Sequence, residues 1–227
     1  MSYDFDFSFL AETWPAFVSG TWLTIRMTVV SISAGLSVGA VGAVLRVFAH
    51  PAVRHLVGAY VEVIRNTPLL VQIFIFYFGI ASLGFRLSAE ASAVIALVIN
   101  MGAYATEIIR AGIVSIPRTQ LEAGDCLGLT HWQVIKHVVL LPAVERVYPA
   151  LTSQSVLLML ASSITSQISA EELTAIANGV QSETFRSFEV FIVVALIYIV
   201  LSFIYRLGFW SIGHALFARR RRLGTVG

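Results

Sequence analysis

The 227 residues are 57% hydrophobic and only 12% charged, with a formal net charge of +2 and a mean hydropathy of +0.83. Soluble domains carry about twice that charged fraction, so the composition describes an all-α polytopic membrane protein, one transmembrane domain over residues 1–227. It excludes a nucleic-acid partner, because the basic residues are sorted by connecting loop rather than gathered in a patch, and an intrachain disulfide, because Cys126 stands alone.

The N-terminus, MSYDFDFSFLAE, is acidic and aromatic without a basic n-region, so no cleaved leader is expected. Residues 1–19, with Asp4, Asp6, Glu12 and Trp14, read as a short amphipathic piece at the outer interface. The first span is expected over residues 21–47, with Arg26 near its outer end able to snorkel. Gly35, Gly39 and Gly42 give it a small face, and Gly35 and Gly39 have the spacing that lets helices approach closely. Glycines are also simply common in membrane helices. A short basic connection follows, holding Arg46, His50, Pro51, Arg54 and His55.

The next apolar run, residues 56–85, is interrupted by EVIRNTP. Pro68 lacks an N–H and restricts Thr67, so a straight helix is not expected. Either a new helix starts with Asn66 or Thr67 as cap and Pro68 in its first turn, or one helix kinks there. Glu62 and Arg65, three apart, can pair on one face near the inner interface. Residues 79–87 form a short outer connection. The third span, residues 88–109, contains Asn100, then Tyr104 and Glu107.

Residues 107–149 are the longest interval without a membrane-length apolar run. Small residues and acids fill its middle, and Cys126 there reads as a small packing residue. The fourth span, residues 147–168, carries a row of hydroxyls and amides. Residues 170–187 are polar and acidic. The last span covers residues 188–207, and a basic tail over 208–227 includes Arg219, Arg220, Arg221 and Arg222.

Five spans put the termini on opposite sides. With the N-terminus outside, the cytoplasmic side holds Arg46, Arg54, Arg65, Arg110, Arg118, Lys136, Arg146, Arg206 and the tail, while the outer side keeps only Arg26, Arg86 and Arg186. The positive-inside rule therefore selects N-out/C-in and puts the 110–146 loop in the cytoplasm.

That loop reads EAGDCLGL from Glu122 and later LLPA. It resembles the cytoplasmic loop of permease subunits of type I ABC importers: Glu122 and Ala123, Gly128, and Pro142 match the family's Glu-Ala-Ala, Gly and Leu-Pro signature. Gly124 replaces the second alanine, and Pro142 falls one position late. The wording IRNTPLLVQIF, AYATEIIRAGIVSIPRTQLEA and FRSFEVFIVVALIYIVLS is similar to the polar-amino-acid subfamily, and the resemblance covers nearly the whole chain. It implies a bacterial inner-membrane, multi-pass subunit that is not itself an enzyme. It also implies a separate ABC ATPase carrying Mg-ATP, a second permease subunit in a homo- or heterodimer, and an extracytoplasmic solute-binding protein. The coupling residues it designates are Glu122, Ala123, Gly124, Asp125, Gly128 and Leu129.

Physically, a short helix of small residues can seat closely in a partner's groove. Glu122 near its start would be favoured by the helix dipole, Gly128 can end it, and Leu129 offers an apolar anchor. On spacing alone the same text also fits a plain helix–turn–helix with a glycine stop. No GxxxxGK[ST], HExxH, CxxC or GxSxG occurs, and His50, His55, His131, His137 and His214 lack ligand spacing. No metal, cofactor or chemistry is expected on this chain.

Polar side chains within spans usually face a protein interior or cavity. Gln72, Asn100, Ser162, Ser163 and Ser166 are the substrate-path candidates, and each could equally make a helix–helix hydrogen bond. Where the subfamily usually has Lys-Asp-Thr-Ser-Leu, this chain has Leu160, Ala161, Ser162, Ser163 and Ile164. An ion-coupled secondary carrier or channel is the alternative function. It leaves the long cytoplasmic loop unexplained, and no acidic relay is embedded in the spans.

Overall fold

The structure is a computed structural model that describes residues 4–217, apart from the side chains of Arg118, Asp125, His131, Lys136, His137 and Leu141. The arginines Arg219 to Arg222 lie outside the described residues. The described chain is helical: α1 (Leu10–Phe48), α2 (Pro51–Arg65), α3 (Leu69–Ser82), α4 (Ala89–Val114), α5 (Arg118–Cys126), α6 (Leu141–Ala161), α7 (Leu173–Thr184) and α8 (Ser187–Leu216). Four helical stretches are long and apolar enough to cross a membrane, and α2 with α3 make a fifth if the bent pair counts as one span.

α1 begins at Leu10, not near residue 21, so the separate interfacial piece expected over residues 1–19 is largely the helix's own first turns. Asp6 starts it: its Oδ1 accepts from the Ser8 N–H at 2.9 Å, and the Leu10 N–H donates to Phe7 O. At 1.5 Å per residue a 39-residue helix is about 58 Å long, well beyond a hydrocarbon core of about 30 Å. The exposed rings of Trp14 and Trp22 suit the interface it crosses.

Only Ala49 and His50 separate α1 from α2, so the basic connection is shorter than its composition suggests. Pro51 opens α2, and His50 caps it weakly, accepting from the Ala52 N–H at 3.4 Å. Between α2 and α3 the chain bends by 107°. The split reading holds, with a correction: Pro68 itself (φ −63°, ψ 140°) is the cap, not Asn66 or Thr67. Asn66 points backward, donating from Nδ2 to Glu62 O at 2.8 Å. Inside α3, Ile75–Gly79 widens into a π turn.

The Ser88 hydroxyl caps α4, accepting from the Ala91 N–H at 3.1 Å. α4 runs on to Val114 and stops because Pro117 pushes Ile116 out of the helical region. After α5, His131–Gln133 and the wide π turns Val134–Leu140 lead into α6. Pro142 has no N–H to give Val138, which suits wide turns just before it. α6 then tightens into 3₁₀ turns over Ser162–Ile168 and ends on Ser169 at φ 61°. α8 outruns the expected last span by about two turns and carries Tyr205, whose hydroxyl hydrogen-bonds that of Thr28.

By internal contacts the chain forms two compact units. Of the described residues, one takes those up to Ser33, Thr67–Val98 and Val156–Tyr205; the other takes Ala34–Asn66, Ile99–Ser155 and the described residues from Arg206. The first unit has apolar cores around Phe17, Leu173 and Val190 and around Met27, Ile73 and Ile168. The second is built around Ala105, Ile109, Val134 and Ala143.

A fully buried carboxylate lies in the first unit, outside the apolar spans. Glu172 caps α7, its Oε1 accepting from the Ala175 N–H at 3.0 Å, while its Oε2 accepts from the Tyr198 hydroxyl at 3.0 Å. Burial pushes its pKa up, partly offset by those bonds. The folded state therefore holds the proton to higher pH than the unfolded chain, and stability falls as pH rises from the ordinary carboxylate range into the raised one. Glu172→Gln should remove that fall. Melting midpoints of the detergent-solubilised protein, compared between about pH 4 and about pH 8, would show wild type losing ground to the variant. Parallel curves would refute the burial argument.

Candidate functional site

The segment around α5 is built on a clamp between α4 and α6. Arg146 on α6 donates from Nη1 to Ser115 O at 2.7 Å and to Ser115 Oγ at 2.8 Å, just past the end of α4. The helices touch nearby at Gly112, where an added Cβ would lie 2.7 Å from Val147 Cγ1 and 2.9 Å from Ala143 O. α5 is carried on this base. Leu121 packs on the core around Val134, and Gly124 is buried against Val134, where a Cβ would sit 3.0 Å from its Cγ2. Gly124 thus departs from alanine for a reason within the chain: the helix lies too close to Val134 for a methyl group to fit without displacement.

The opposite face of α5 is open. Glu122, Ala123 and Cys126 are exposed, and Leu127 is 79% exposed. Gly128 adopts φ 72°, the left-handed region that glycine enters without penalty, and the Leu129 N–H returns to Gly124 O at 3.2 Å. A new helix start follows, with Thr130 and Gln133 as a capping box: the Thr130 N–H donates to Gln133 Oε1 at 2.8 Å. Trp132 then projects, 72% exposed.

Three expectations change here. Leu129 turns inward and packs on the chain's own core, because the left-handed turn at Gly128 reverses its direction. Leu127 and Trp132 are the exposed apolar groups instead. Glu122 is the fifth residue of a nine-residue helix, not near its start, so the helix dipole does little for it. Cys126 is exposed rather than packed. The Asp125 side chain lies outside the described residues. No sequence signal distinguished Leu127 from Leu129; it depended on the sign of one φ angle.

The substrate-path candidates fall in both units. Gln72 is buried and donates from Nε2 to Thr67 O at 3.1 Å and Oγ1 at 3.0 Å, tying α3 to its own entry. Asn100 is buried in α4. The hydroxyl row of the 3₁₀ turns is bonded to its own backbone: Ser162 donates to Met159 O at 2.7 Å, Ser163 to Leu160 O at 2.9 Å and Ser166 to Ser163 O at 2.8 Å. Ser162 is buried, whereas Ser163 and Ser166 are partly exposed. Glu62 and Arg65 do not pair: Arg65 instead lies over the Tyr104 ring, 5.4 Å from its centroid.

Residues 31–209 match the family model described as the binding-protein-dependent transport system inner membrane component. The chain belongs to this family. The permease is therefore a membrane-spanning transport subunit of a bacterial inner-membrane importer, with ATP hydrolysis on a separate ATPase subunit and a solute-binding protein as partner. That assignment removes the ion-coupled carrier. The permease is 36% identical over 195 residues to the probable glutamine ABC transporter permease protein GlnM of Bacillus subtilis (strain 168), covering 86% of this chain and 90% of the relative. It is 35% identical over 192 residues to the L-cystine transport system permease protein TcyB of the same organism, covering 85% and 80%. Its fold matches a chain in a crystal structure of an amino acid ABC transporter with histidines, at a TM-score of 0.85 and 33% identity, covering 94% of this chain and all of that one.

Proposed function

We propose that this permease moves a polar amino acid or a close derivative inward across the inner membrane, driven through α5 by Mg-ATP turnover on the ATPase. The amino-acid assignment is supported by the relatives named for glutamine and cystine. The observation that carries the coupling role is the open face of α5: Glu122, Ala123 and Leu127 are exposed on a helix whose other face is fixed to the permease core, and Trp132 stands beside it. An exposed Trp is the kind of anchor that fills a partner's pocket, and Leu127 adds apolar surface beside it. Closing of two ATPases would push such a face, and rocking of the spans would open the path alternately to either side. Gly124, Gly128 and Leu129 shape and hold this surface, and Asp125 belongs to the same proposed coupling set. Gln72, Asn100, Ser162, Ser163 and Ser166 are the first residues to change in searching for the path.

The sequence Leu160-Ala161-Ser162-Ser163-Ile164 lacks the charged pair usual in similar permeases. We infer a heterodimer, in which a second permease supplies those charged contacts. The experiment is a mild-detergent purification of the tagged chain from its native membrane, with every co-purifying chain identified by mass. An ATPase with a second, different permease supports the reading. A functional transporter containing only this permease and an ATPase refutes the heterodimer, and no ATPase in an intact complex refutes the coupling role. In the same assay, Leu127→Asp should leave insertion unchanged and weaken ATPase retention about tenfold, the scale of losing one good anchor. Full retention would place the contact elsewhere.

A further inference from the structure

In the second unit, residues of α1, α2 and α4 line a half-open pocket of about 310 Å³ whose polar lining is Arg46, Glu62, Arg65, Asn66, Tyr104 and Glu107. It shares no residue with α5 or with the path candidates. Its volume is at the small end of ligand pockets, about 300–1,000 Å³, the scale of a single amino acid rather than a peptide.

Arg46 is held in place before any ligand arrives. Its Nη1 donates to Arg54 O at 3.2 Å, and its guanidinium lies against Gly58, where a Cβ would collide with Nη1. Its Nε is buried without a hydrogen-bond partner. Arg65 is fixed over Tyr104 and has no carboxylate partner among the described residues. Glu107 is already engaged: Arg110 donates from Nε to its Oε2 at 2.9 Å and from Nη2 to its Oε1 at 2.5 Å. Glu62 has no ion-pair partner among the described residues. The lining therefore offers two guanidinium groups that share only the field of Glu107, itself bound to Arg110, and one carboxylate with no ion pair among the described residues. A buried unpaired donor such as Arg46 Nε costs free energy until an acceptor reaches it, and a planar carboxylate fits guanidinium geometry.

We propose that this cavity binds an α-amino acid as its zwitterion, with the carboxylate on Arg46 and Arg65 and the ammonium on Glu62. The inference rests on the amino-acid reading above and places a second site for that substrate class on the permease. Arg46, Arg65 and Arg110 belong to the cytoplasmic set of basic residues, so the site meets amino acid that has already been delivered.

The test uses the whole permease–ATPase complex in phosphatidylglycerol nanodiscs, without the solute-binding protein. The probe is the radiolabelled amino acid whose uptake the complex supports in proteoliposomes, L-glutamine being tried first. Arg65→Gln, Arg46→Gln and Glu62→Gln should each weaken saturable binding about tenfold, the scale of losing one charge-assisted hydrogen bond. Arg86→Gln, an exposed arginine in the other unit, should leave it unchanged. On the wild-type complex, the amide of the same amino acid, which has no carboxylate, should bind about tenfold more weakly, and Arg65→Gln should shrink that gap. This arm needs no variant for its first comparison, so a variant that fails to assemble does not rescue the idea.

Uptake of an amino acid with binding that ignores Arg46 and Arg65 overturns the site alone. Failure of every amino acid in the uptake assay overturns the substrate reading and the site with it. A zwitterionic lipid headgroup has similar chemistry, so binding is repeated in phosphatidylethanolamine nanodiscs. Unchanged affinity supports a site for the free amino acid, and loss of binding there assigns the cavity to lipid.

Discussion

Gly39→Val is expected to cost about 3 kcal/mol or more, at or above the upper end of overpacking penalties. Gly39 is buried on α1 against α4. A Cβ there would collide with Ala105 Cβ and lie 3.0 Å from both the Ala105 carbonyl carbon and the Thr106 nitrogen. Backbone atoms cannot rotate aside, so α1 would have to move away from α4. That motion would open the core around Ala43, Ala105 and Ile109, where membrane helices depend on close packing rather than on a hydrophobic drive. Gly42 is the control. A Cβ there meets mainly the Thr106 side chain, whose hydroxyl donates to Gly102 O at 2.7 Å. Thr106 can change rotamer, so Gly42→Ala should cost about 1 kcal/mol, near the lower end of that range. Denaturant unfolding in mixed micelles would rank the two. Equal costs, or a valine cost below about 1 kcal/mol, would mean that the two helices do not approach this closely.

The same glycines show what was legible in the sequence. A small face over Gly35, Gly39 and Gly42 suggested a close helix contact, and Gly39 and Gly42 make one on α4. Apolar runs located the spans to within a few turns, and Pro68 announced the break that the 107° bend displays. Helix ends were less legible, because they are set by single local bonds: Asp6 with Ser8 starts α1, and Pro117 stops α4. Pairings were least legible. Glu62 and Arg65 have ion-pair spacing, yet the ring of Tyr104, brought in from another helix, takes the arginine. The hydroxyls after residue 160 suggested a polar lining, but most of their donors satisfy carbonyls three residues back. Glu172 sat unremarked in a polar stretch, because only the fold brings Tyr198 to it and removes it from water. In each case a short-range pattern competed with a contact made by a distant segment, and the distant contact prevailed.

Gly128→Asp is expected to separate ATP hydrolysis from transport. Gly128 sits at φ 72°, and no atom would lie within 4 Å of an added Cβ. Aspartate tolerates the left-handed region better than most residues, at a cost of about 1–2 kcal/mol. The turn should therefore form, and the protein should insert and assemble. What changes is the surface between Leu127 and Trp132, where a carboxylate would have to be desolvated against the ATPase. Uptake in proteoliposomes should fall by more than about tenfold, the equivalent of about 1.4 kcal/mol, while ATP hydrolysis persists. Gly128→Asn separates geometry from charge: asparagine tolerates the left-handed region as aspartate does but carries no carboxylate, so it should retain most of the uptake. If both variants lose uptake equally, the turn itself is the requirement and the exposed face is not. If Gly128→Asp transports normally, α5 does not carry the coupling.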